Sequence, residues 1–117
     1  MKIVEGVGSD SVGICLDTGH LNLSKEVMET QRDFILNAKD RLWALHLNDN
    51  EGETDQHLMS FCRGNVNFKE IFESLKEIGF NGIYNFEIPG ENKAPVEVRG
   101  YKLEFVKKAF RYMEENY

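Results

Sequence analysis

Three short apolar runs punctuate the chain at residues 12–17, 42–47 and 82–88, and each precedes a segment with helical spacing of apolar positions. Runs of this length are typical of strands buried on both faces of a parallel sheet. The alternation of strand and helix predicts an α/β fold in which parallel strands are joined by right-handed crossovers and the helices pack on the sheet.

The segments after the strands predict three helices. After the first strand, Ser24 is the expected N-cap of a helix that ends near Ala38. After the second, Asn67 opens a helix that Gly79 stops, and after the third, Pro95 stands where helix starts tolerate proline. The apolar face of the first helix is predicted to contain Val27, Phe34, Ile35 and Ala38.

Composition narrows the class of protein. Hydrophobic residues make up 41% of the 117-residue chain and charged residues 29%, which is typical of a globular protein. The net charge of −6 weakens the case for a polyanionic partner such as nucleic acid. No apolar run approaches the roughly 20 residues that cross a bilayer, and the start lacks the apolar segment of a signal peptide. Two cysteines fit a reducing compartment, so we expect a cytoplasmic protein without membrane contact, with Cys15 as a small core residue.

The predicted strands end in residues that can bind a metal. Asp17 ends the first strand, His46 lies near the end of the second, and Glu87 lies near the end of the third. Parallel strands present their carboxyl ends at one edge of a sheet, so these side chains converge if the strands are neighbours. Simpler interpretations exist: Asp17 can cap the next turn, and a lone strand-end histidine is commonly a hydrogen-bonded imidazole. Glu87 follows Phe86 in an apolar run, where an unpaired carboxylate would be costly to bury.

The loop that follows the second strand is polar, and its composition alone predicts an ordinary exposed loop. Asp55 and His57 are the exception, because residues two apart point the same way in an extended segment. Together with His20 they enlarge the set of candidate ligands, and all three histidines of the chain lie in these segments. Such an oxygen and nitrogen set suits a divalent metal, namely Zn, Mn, Mg or Co.

Several of these motifs, in this order, resemble the xylose isomerase-like superfamily, which contains sugar phosphate isomerases and epimerases and endonuclease IV. The run from Val12 to His20 is similar to its sixth-strand Asp-x-x-His motif. The seventh-strand histidine and its Asp-x-His loop are matched by His46 and by residues 55–57, and the eighth-strand glutamate by Glu87. The resemblance implies a partial (β/α)8 TIM barrel, with residues 1–117 as its C-terminal portion of three βα units. A closed barrel needs about 250 residues, so the upstream units lie outside this chain.

For epimerase-like members, the resemblance implies a metal held by Asp17, His46 and Glu87 with a glutamate from an earlier strand. Glu87 would also be one of two acid/base glutamates that move a proton beside a sugar carbonyl. His20 would contact the substrate, a sugar or sugar phosphate. Arg63 is a candidate contact to substrate or phosphate, although a solvated loop arginine is the simpler interpretation.

Two alternatives stay open. In endonuclease IV-like members, a zinc cluster that cleaves abasic DNA is held by residues that match Asp17, His20, His46, Asp55, His57 and Glu87. The family often has a Pro-Gly-x-Gly turn after Asp-x-His, of which only Gly64 remains here. The other alternative is a truncated, inactive metal-binding module, because the second acid/base glutamate is absent, and whether the isolated chain is an enzyme is therefore left open.

Unpaired strands predict a protein partner. Three parallel strands leave two free edges, which are templates for pairing with another chain. The inner face of the sheet, to which Ile14, Leu45 and Phe86 or their neighbours would point, also lacks opposing strands. We therefore expect a homo-oligomer, most simply a two-fold dimer, or a complementing chain.

Overall fold

Three parallel strands form the centre of the molecule. A computed structural model of the chain describes residues 2–24 and 30–117. The strands are β1 (Ile14–Asp17), β2 (Leu42–Leu47) and β3 (Ile83–Phe86), arranged side by side in the order β1-β2-β3. The predicted α/β fold is confirmed: β2 has the predicted bounds, and the other two strands are shorter than predicted.

Helices connect the strands and continue beyond them. They are α1 (Lys2–Val7), α2 (Thr18–Leu23), α3 (Gln31–Ala38), α4 (Phe68–Glu77) and α5 (Val96–Asn116), with a 3-10 turn at Lys39–Arg41. The predicted start and end of α4 are confirmed. The Asn67 side chain accepts from the Glu70 backbone N–H, and Gly79 follows the helix with a φ of 66°, which glycine adopts without strain. No helix within the two described ranges has the length and apolar character needed to span a membrane.

The prediction of one helix from Ser24 to Ala38 is wrong. Asp17 caps α2 directly after β1, so a first short helix occupies the start of the connection and Ser24 is its C-cap. The next helix begins at Gln31, where Thr30 and Asp33 form a capping box. Val27, assigned to the apolar face of the helix, lies outside the described residues.

The hydrophobic core lies on one side of the sheet. Leu16 and Leu45 are opposite each other in the strand register and are buried against helix residues such as Ile35, Ile71 and Met113. Ile14, Leu45 and Phe86 thus belong to the helix-covered side, so of the two options that the sequence left open, their neighbours are the ones on the inner face. The strand alternation instead points their neighbours to the other side.

The other face of the sheet is uncovered by any described part of the chain. Its middle row consists of Cys15, Ala44 and Ile83, and Ile83 is 68% exposed. Cys15 is exposed, so its prediction as a core residue is wrong for this chain. Partial burial, with the nearby carboxylates of Asp17 and Glu87, raises the pKa of the Cys15 thiol. The next row, at the carboxyl end of the strands, carries the site.

Candidate metal centre

The strand register places the predicted ligands side by side. Asp17 is the register partner of His46, and His46 is the partner of Asn85 on the third strand. The Glu87 backbone N–H continues the ladder by donating to the Leu47 carbonyl at 3.1 Å. Because side chains alternate along a strand, Glu87 extends on the side of Asn85 and reaches the same edge.

Three side chains meet at this edge, and we call Asp17, His46 and Glu87 the strand-end cluster. His46 Nδ1 lies 3.0 Å from Glu87 Oε2 and 3.8 Å from Asp17 Oδ2. One potential ligand atom from each residue lies within 4.8 Å of the others. The predicted convergence of these three side chains at one edge is present in the structure.

Asp17 is the most enclosed member of the cluster, with 12% of its side chain exposed. Its Oδ1 accepts from the His20 backbone N–H at 2.9 Å and from Asn48 Nδ2 at 3.0 Å. Its Oδ2 is buried and, among the residues described, has no hydrogen-bond partner. The simple interpretation of Asp17 as a cap is therefore correct, but it accounts for one carboxylate oxygen. The other oxygen is a buried acceptor facing two imidazoles, which fits a divalent cation.

Glu87 differs from its prediction. Its side chain is 44% exposed, so the argument that a buried carboxylate needs a metal is wrong for this residue and applies to Asp17 instead. Glu87 borders an open cavity of about 460 Å³, whose lining also includes Gln56, His57 and Asn85. A polar ligand could therefore approach the strand-end cluster from the side of β3.

A second group of side chains lies beside the first, and we call His20, Asp55 and His57 the loop-side cluster. Asp55 stands between two imidazoles: its Oδ2 lies 3.2 Å from His20 Nε2 and its Oδ1 lies 3.1 Å from His57 Nε2. One potential ligand atom from each also lies within 4.8 Å of the others. His20 links the clusters, because its Nδ1 is 3.6 Å from Asp17 Oδ2.

The route by which His57 reaches this cluster differs from the prediction. The segment is not extended at His57, whose φ is 49°, and the ring Nδ1 lies 2.8 Å from the Glu87 carbonyl oxygen as its hydrogen-bond donor. This bond to the carbonyl, with the Asp55 carboxylate, raises the pKa of His57. The bond from His20 lowers the pKa of Asp55.

The loop after β2 is exposed only in part. Asn48, Asp49 and Asn50 are buried, so the prediction of an ordinary exposed loop is wrong for its first three residues. Asp49 exchanges two backbone hydrogen bonds with Leu58, and its Oδ1 accepts from the backbone N–H groups of Asn50 and Val66, each at 2.9 Å. Burial raises the pKa of Asp49 despite these donors. Asp49 thus joins both ends of the loop that carries Asp55 and His57.

Gly64, the residue retained from the family's turn, has a packing role. A Cβ at this position would lie 2.1 Å from Asp49 Oδ1. The backbone of residue 64 therefore approaches the Asp49 carboxylate more closely than any side chain would permit. Arg63 is 67% exposed and lies near Glu51, outside both clusters, in agreement with its simpler interpretation as a solvated arginine.

Sequence reasoning missed the buried polar residues under the site. Thr18 Oγ1 donates to the Asn48 carbonyl at 2.7 Å, and Asn50 Nδ2 donates to the Gly19 carbonyl at 2.9 Å. One feature of the sequence could have revealed them. Asn48 and Asn50 come just after the buried strand β2, at the alternating positions that continue the row of His46.

Comparisons with known proteins agree with this architecture. A model of the family described as xylose isomerase-like TIM barrel matches residues 1–113. An uncharacterised protein of Methanocaldococcus jannaschii is 36% identical over 87 residues, which are 74% of this chain and 29% of that protein. The D-psicose 3-epimerase of Enterocloster bolteae is 34% identical over 82 residues, which are 70% of this chain and 24% of the enzyme.

A solved structure gives the same fold. The structure of a D-psicose 3-epimerase in the presence of D-fructose matches with a TM-score of 0.75 at 19% identity, over 95% of this chain and 41% of that one. The chain therefore spans less than half the length of the proteins that it matches. The matched length and the parallel strands together show that the chain belongs to the xylose isomerase-like TIM barrel family and forms part of such a barrel.

Proposed function

We propose that the chain carries the metal-binding part of a sugar isomerase or epimerase-like site, as the C-terminal portion of a barrel. The observation that supports this most is the strand-end cluster, in which the buried Asp17 Oδ2 has no partner within the described ranges and lies near His46. The oxygen and nitrogen donors fit Zn, Mn, Mg or Co.

Each residue has a proposed role. Asp17, His46 and Glu87 would hold the ion, which when bound would polarise the oxygens of a sugar or sugar phosphate. Glu87 is the proposed acid/base group, because its half-exposed carboxylate borders the cavity and can take or return a proton at a substrate carbon. His20 is the proposed substrate contact, since its ring is 58% exposed beside Asp17. Arg63 would act only if the loop brought it to a substrate phosphate.

The relatives support the sugar class of substrate. Relatives at 34% and 27% identity are named D-psicose 3-epimerase and inosose isomerase. The chain spans 24% and 32% of these two proteins, so the activity of the whole barrel is a proposal for this chain.

Calorimetric titration with Zn²⁺ and Mn²⁺ tests the metal site. We expect binding by the wild-type chain and its loss in the His46→Ala, Glu87→Ala double variant. Glu73→Ala is the matched control, because it removes an exposed carboxylate on α4. Equal affinity of the double variant and the wild type would contradict the assignment.

A nuclease is the second candidate, and the loop-side cluster is the observation that favours it. All six residues that match the endonuclease IV ligands lie in the two neighbouring clusters. Under this proposal the chain binds more than one zinc ion and contributes to incision of abasic DNA. Incision of an abasic duplex that is lost in His57→Ala would favour the nuclease over the sugar enzyme. The net charge of −6 counts against it.

The third candidate is a metal-binding module without activity. A panel of ketoses and aldoses, assayed with added metal, separates it from the first proposal. We expect little or no turnover by the isolated chain, because the matched regions make up only 24% and 32% of these two relatives. Robust turnover that is lost in Glu87→Ala would exclude the inactive module.

We also propose a protein partner, either a second copy of the chain or a complementing chain with further βα units. Cys15 and Ile83 lie on the uncovered face of the sheet, and α5 carries exposed Val98, Tyr101, Phe105 and Tyr112 at helical spacing. Light scattering after size exclusion is expected to show a homo-oligomer. A stable species of single-chain mass would contradict self-association, and protection of Cys15 from thiol reagents on adding an upstream half-barrel would favour complementation.

A further inference from the structure

We infer that Asn48 is a positioning residue of the strand-end cluster: its side-chain amide fixes the Asp17 carboxylate so that Oδ2 is presented toward His46. This inference rests on the proposed metal function and adds to it a residue that touches neither metal nor substrate.

Both backbone polar groups of Asn48, its N–H and its carbonyl, are hydrogen-bonded to one side chain. The Thr18 hydroxyl donates to the Asn48 carbonyl at 2.7 Å and accepts from the Asn48 N–H at 3.1 Å. Gln31 Nε2 donates to the Thr18 carbonyl at 2.8 Å, which secures Thr18 in turn. All three residues are buried, with Thr18 and Asn48 at 0% and 1% exposure. Asn48 is therefore a fixed point rather than a mobile loop residue.

From this fixed backbone position, the side chain of Asn48 reaches Asp17. Its Nδ2 donates to Asp17 Oδ1 at 3.0 Å, and the His20 N–H donates to the same oxygen at 2.9 Å. The amide orientation is determined, because only the nitrogen can donate to a carboxylate. Two donors on one oxygen hold the carboxylate plane, and the second oxygen is left facing the imidazoles. Such outer hydrogen bonds orient metal ligands and influence metal affinity.

Gly19 provides the space that this arrangement requires. A Cβ on Gly19 would lie 1.9 Å from Asn48 Oδ1 and 2.9 Å from Asn50 Nδ2. Gly19 lies inside α2 and does not have a positive φ, so its backbone does not require glycine. Alanine would favour the helix at this position. The glycine is therefore explained by the Asn48 side chain that packs against it.

The buried Asn48 side chain is energetically unfavourable in one respect, and packing alone gives no reason for an asparagine at this position. Asn48 Oδ1 is buried and, as far as the chain is described, has no hydrogen-bond partner. A buried amide oxygen without a partner is unfavourable, because it loses its hydrogen bonds to water and gains none in the protein. An apolar residue of similar size would avoid this cost but would remove one of the two donors to Asp17 Oδ1.

The test compares Zn²⁺ affinity and the Co²⁺ absorption spectrum of the full chain with those of Asn48→Leu, which keeps the size and removes the donor. We expect about 10- to 100-fold weaker Zn²⁺ binding and an altered Co²⁺ spectrum. Asn50→Leu is the matched control, because Asn50 is equally buried in the same network but donates to Gly19 rather than to Asp17. Its Zn²⁺ affinity should be unchanged while its stability to urea falls.

A second set of variants uses the contact with Gly19. Gly19→Ala should weaken Zn²⁺ binding by displacing Asn48, and the same change made in Asn48→Ala should have little further effect. If Asn48→Leu does not fold by circular dichroism, Asn48→Ala takes its place in the comparison.

Different results overturn different claims. Zn²⁺ binding by the wild type that is lost in His46→Ala but unchanged in Asn48→Leu would overturn the positioning role alone. Equal weakening in Asn48→Leu and Asn50→Leu would do the same, since the effect would then be structural. Absence of Zn²⁺ binding by the wild type would overturn both this inference and the proposed metal site.

Discussion

The two clusters contain similar residue types but are held in different ways. The strand-end cluster lies on paired strands, and its Asp17 is 12% exposed over a buried polar network. The loop-side cluster has His20 and Asp55 at 58% and 44% exposure, and both oxygens of Asp55 already face imidazoles within 3.2 Å. A cation there must replace both contacts of Asp55. At the strand-end cluster a cation would replace the 3.0 Å contact of His46 with Glu87, but it would also gain Asp17 Oδ2, a buried oxygen without a partner in the described chain. The difference indicates that the ability of a carboxylate to bind a cation depends on how many of its oxygens already have a partner in the protein.

The largest expected effect is on Zn²⁺ affinity, which should fall by different amounts when a histidine is removed from each cluster. His46→Ala removes a direct ligand of the proposed strand-end site, so the loss of Zn²⁺ affinity should exceed the 10- to 100-fold that is typical of outer contacts. His57→Ala should reduce the affinity of the tighter site far less, because that ring bonds the Glu87 carbonyl and Asp55. Competition titration with a chelator measures both. Equal losses would mean that the clusters form one site.

The next effect concerns the anchor of the loop. Asp49→Ala leaves the buried N–H groups of Asn50 and Val66 without their acceptor, which costs about 1–3 kcal/mol for each unsatisfied group. Asp49→Asn keeps an acceptor of the same shape and removes a carboxylate whose pKa is raised by burial. We therefore expect Asp49→Asn to be close to wild type at neutral pH in urea unfolding. A loss in Asp49→Asn as large as that in Asp49→Ala would show that the charge is essential.

Gly64→Ala should have a smaller effect on stability and should act on the loop. The added Cβ collides with the Asp49 carboxylate, and overpacking of this kind costs about 1–3 kcal/mol. Gly100→Ala is the control, since Gly100 lies in α5 with nothing within 4 Å of an added Cβ, and alanine should stabilise a helix interior. Thermal unfolding compares the two. Gly64→Ala as stable as Gly100→Ala would contradict the close approach.

The smallest expected effect is a pH dependence of the loop-side cluster. The carbonyl of Glu87 raises the pKa of His57 above its ordinary value of 6.5, so folding favours the protonated ring. The stability that it contributes is fully present below 6.5 and is lost as the pH rises through the pKa of the folded state. The metal-free wild type should therefore lose more stability over this range than His57→Gln. If the urea midpoints of the two proteins change with pH to the same extent, this prediction is refuted.

The strands and the strand-end cluster follow from local sequence, because apolar runs specify buried strands and parallel pairing brings their ends together. The helix after β1 could not be placed in this way. The cap and ligand interpretations of Asp17 were alternatives in the sequence, whereas in the structure one carboxylate oxygen caps α2 and the other faces the imidazoles. A capping signal at Thr30 was present but competed with Ser24.

The buried start of the loop was hidden for a different reason. Asn48, Asp49 and Asn50 have the composition of an exposed turn, and their burial depends on partners such as Thr18, Gly19 and Val66 that are distant in sequence. The positive φ of His57 likewise depends on its bond to the Glu87 carbonyl, 30 residues away. Composition reports average exposure, whereas these residues are placed by specific long-range hydrogen bonds.

The shortness of α2 has a consequence for the order of folding. Thr18–Leu23 is six residues long and contains a glycine, and isolated helices far below about 12 residues are not stable in water. Its carbonyl groups at Thr18 and Gly19 are held by Gln31 and Asn50, which are 13 and 31 residues further along the chain. The helix that presents His20 should therefore form after β1 and β2 have paired, as a product of sheet assembly rather than as a nucleus for it.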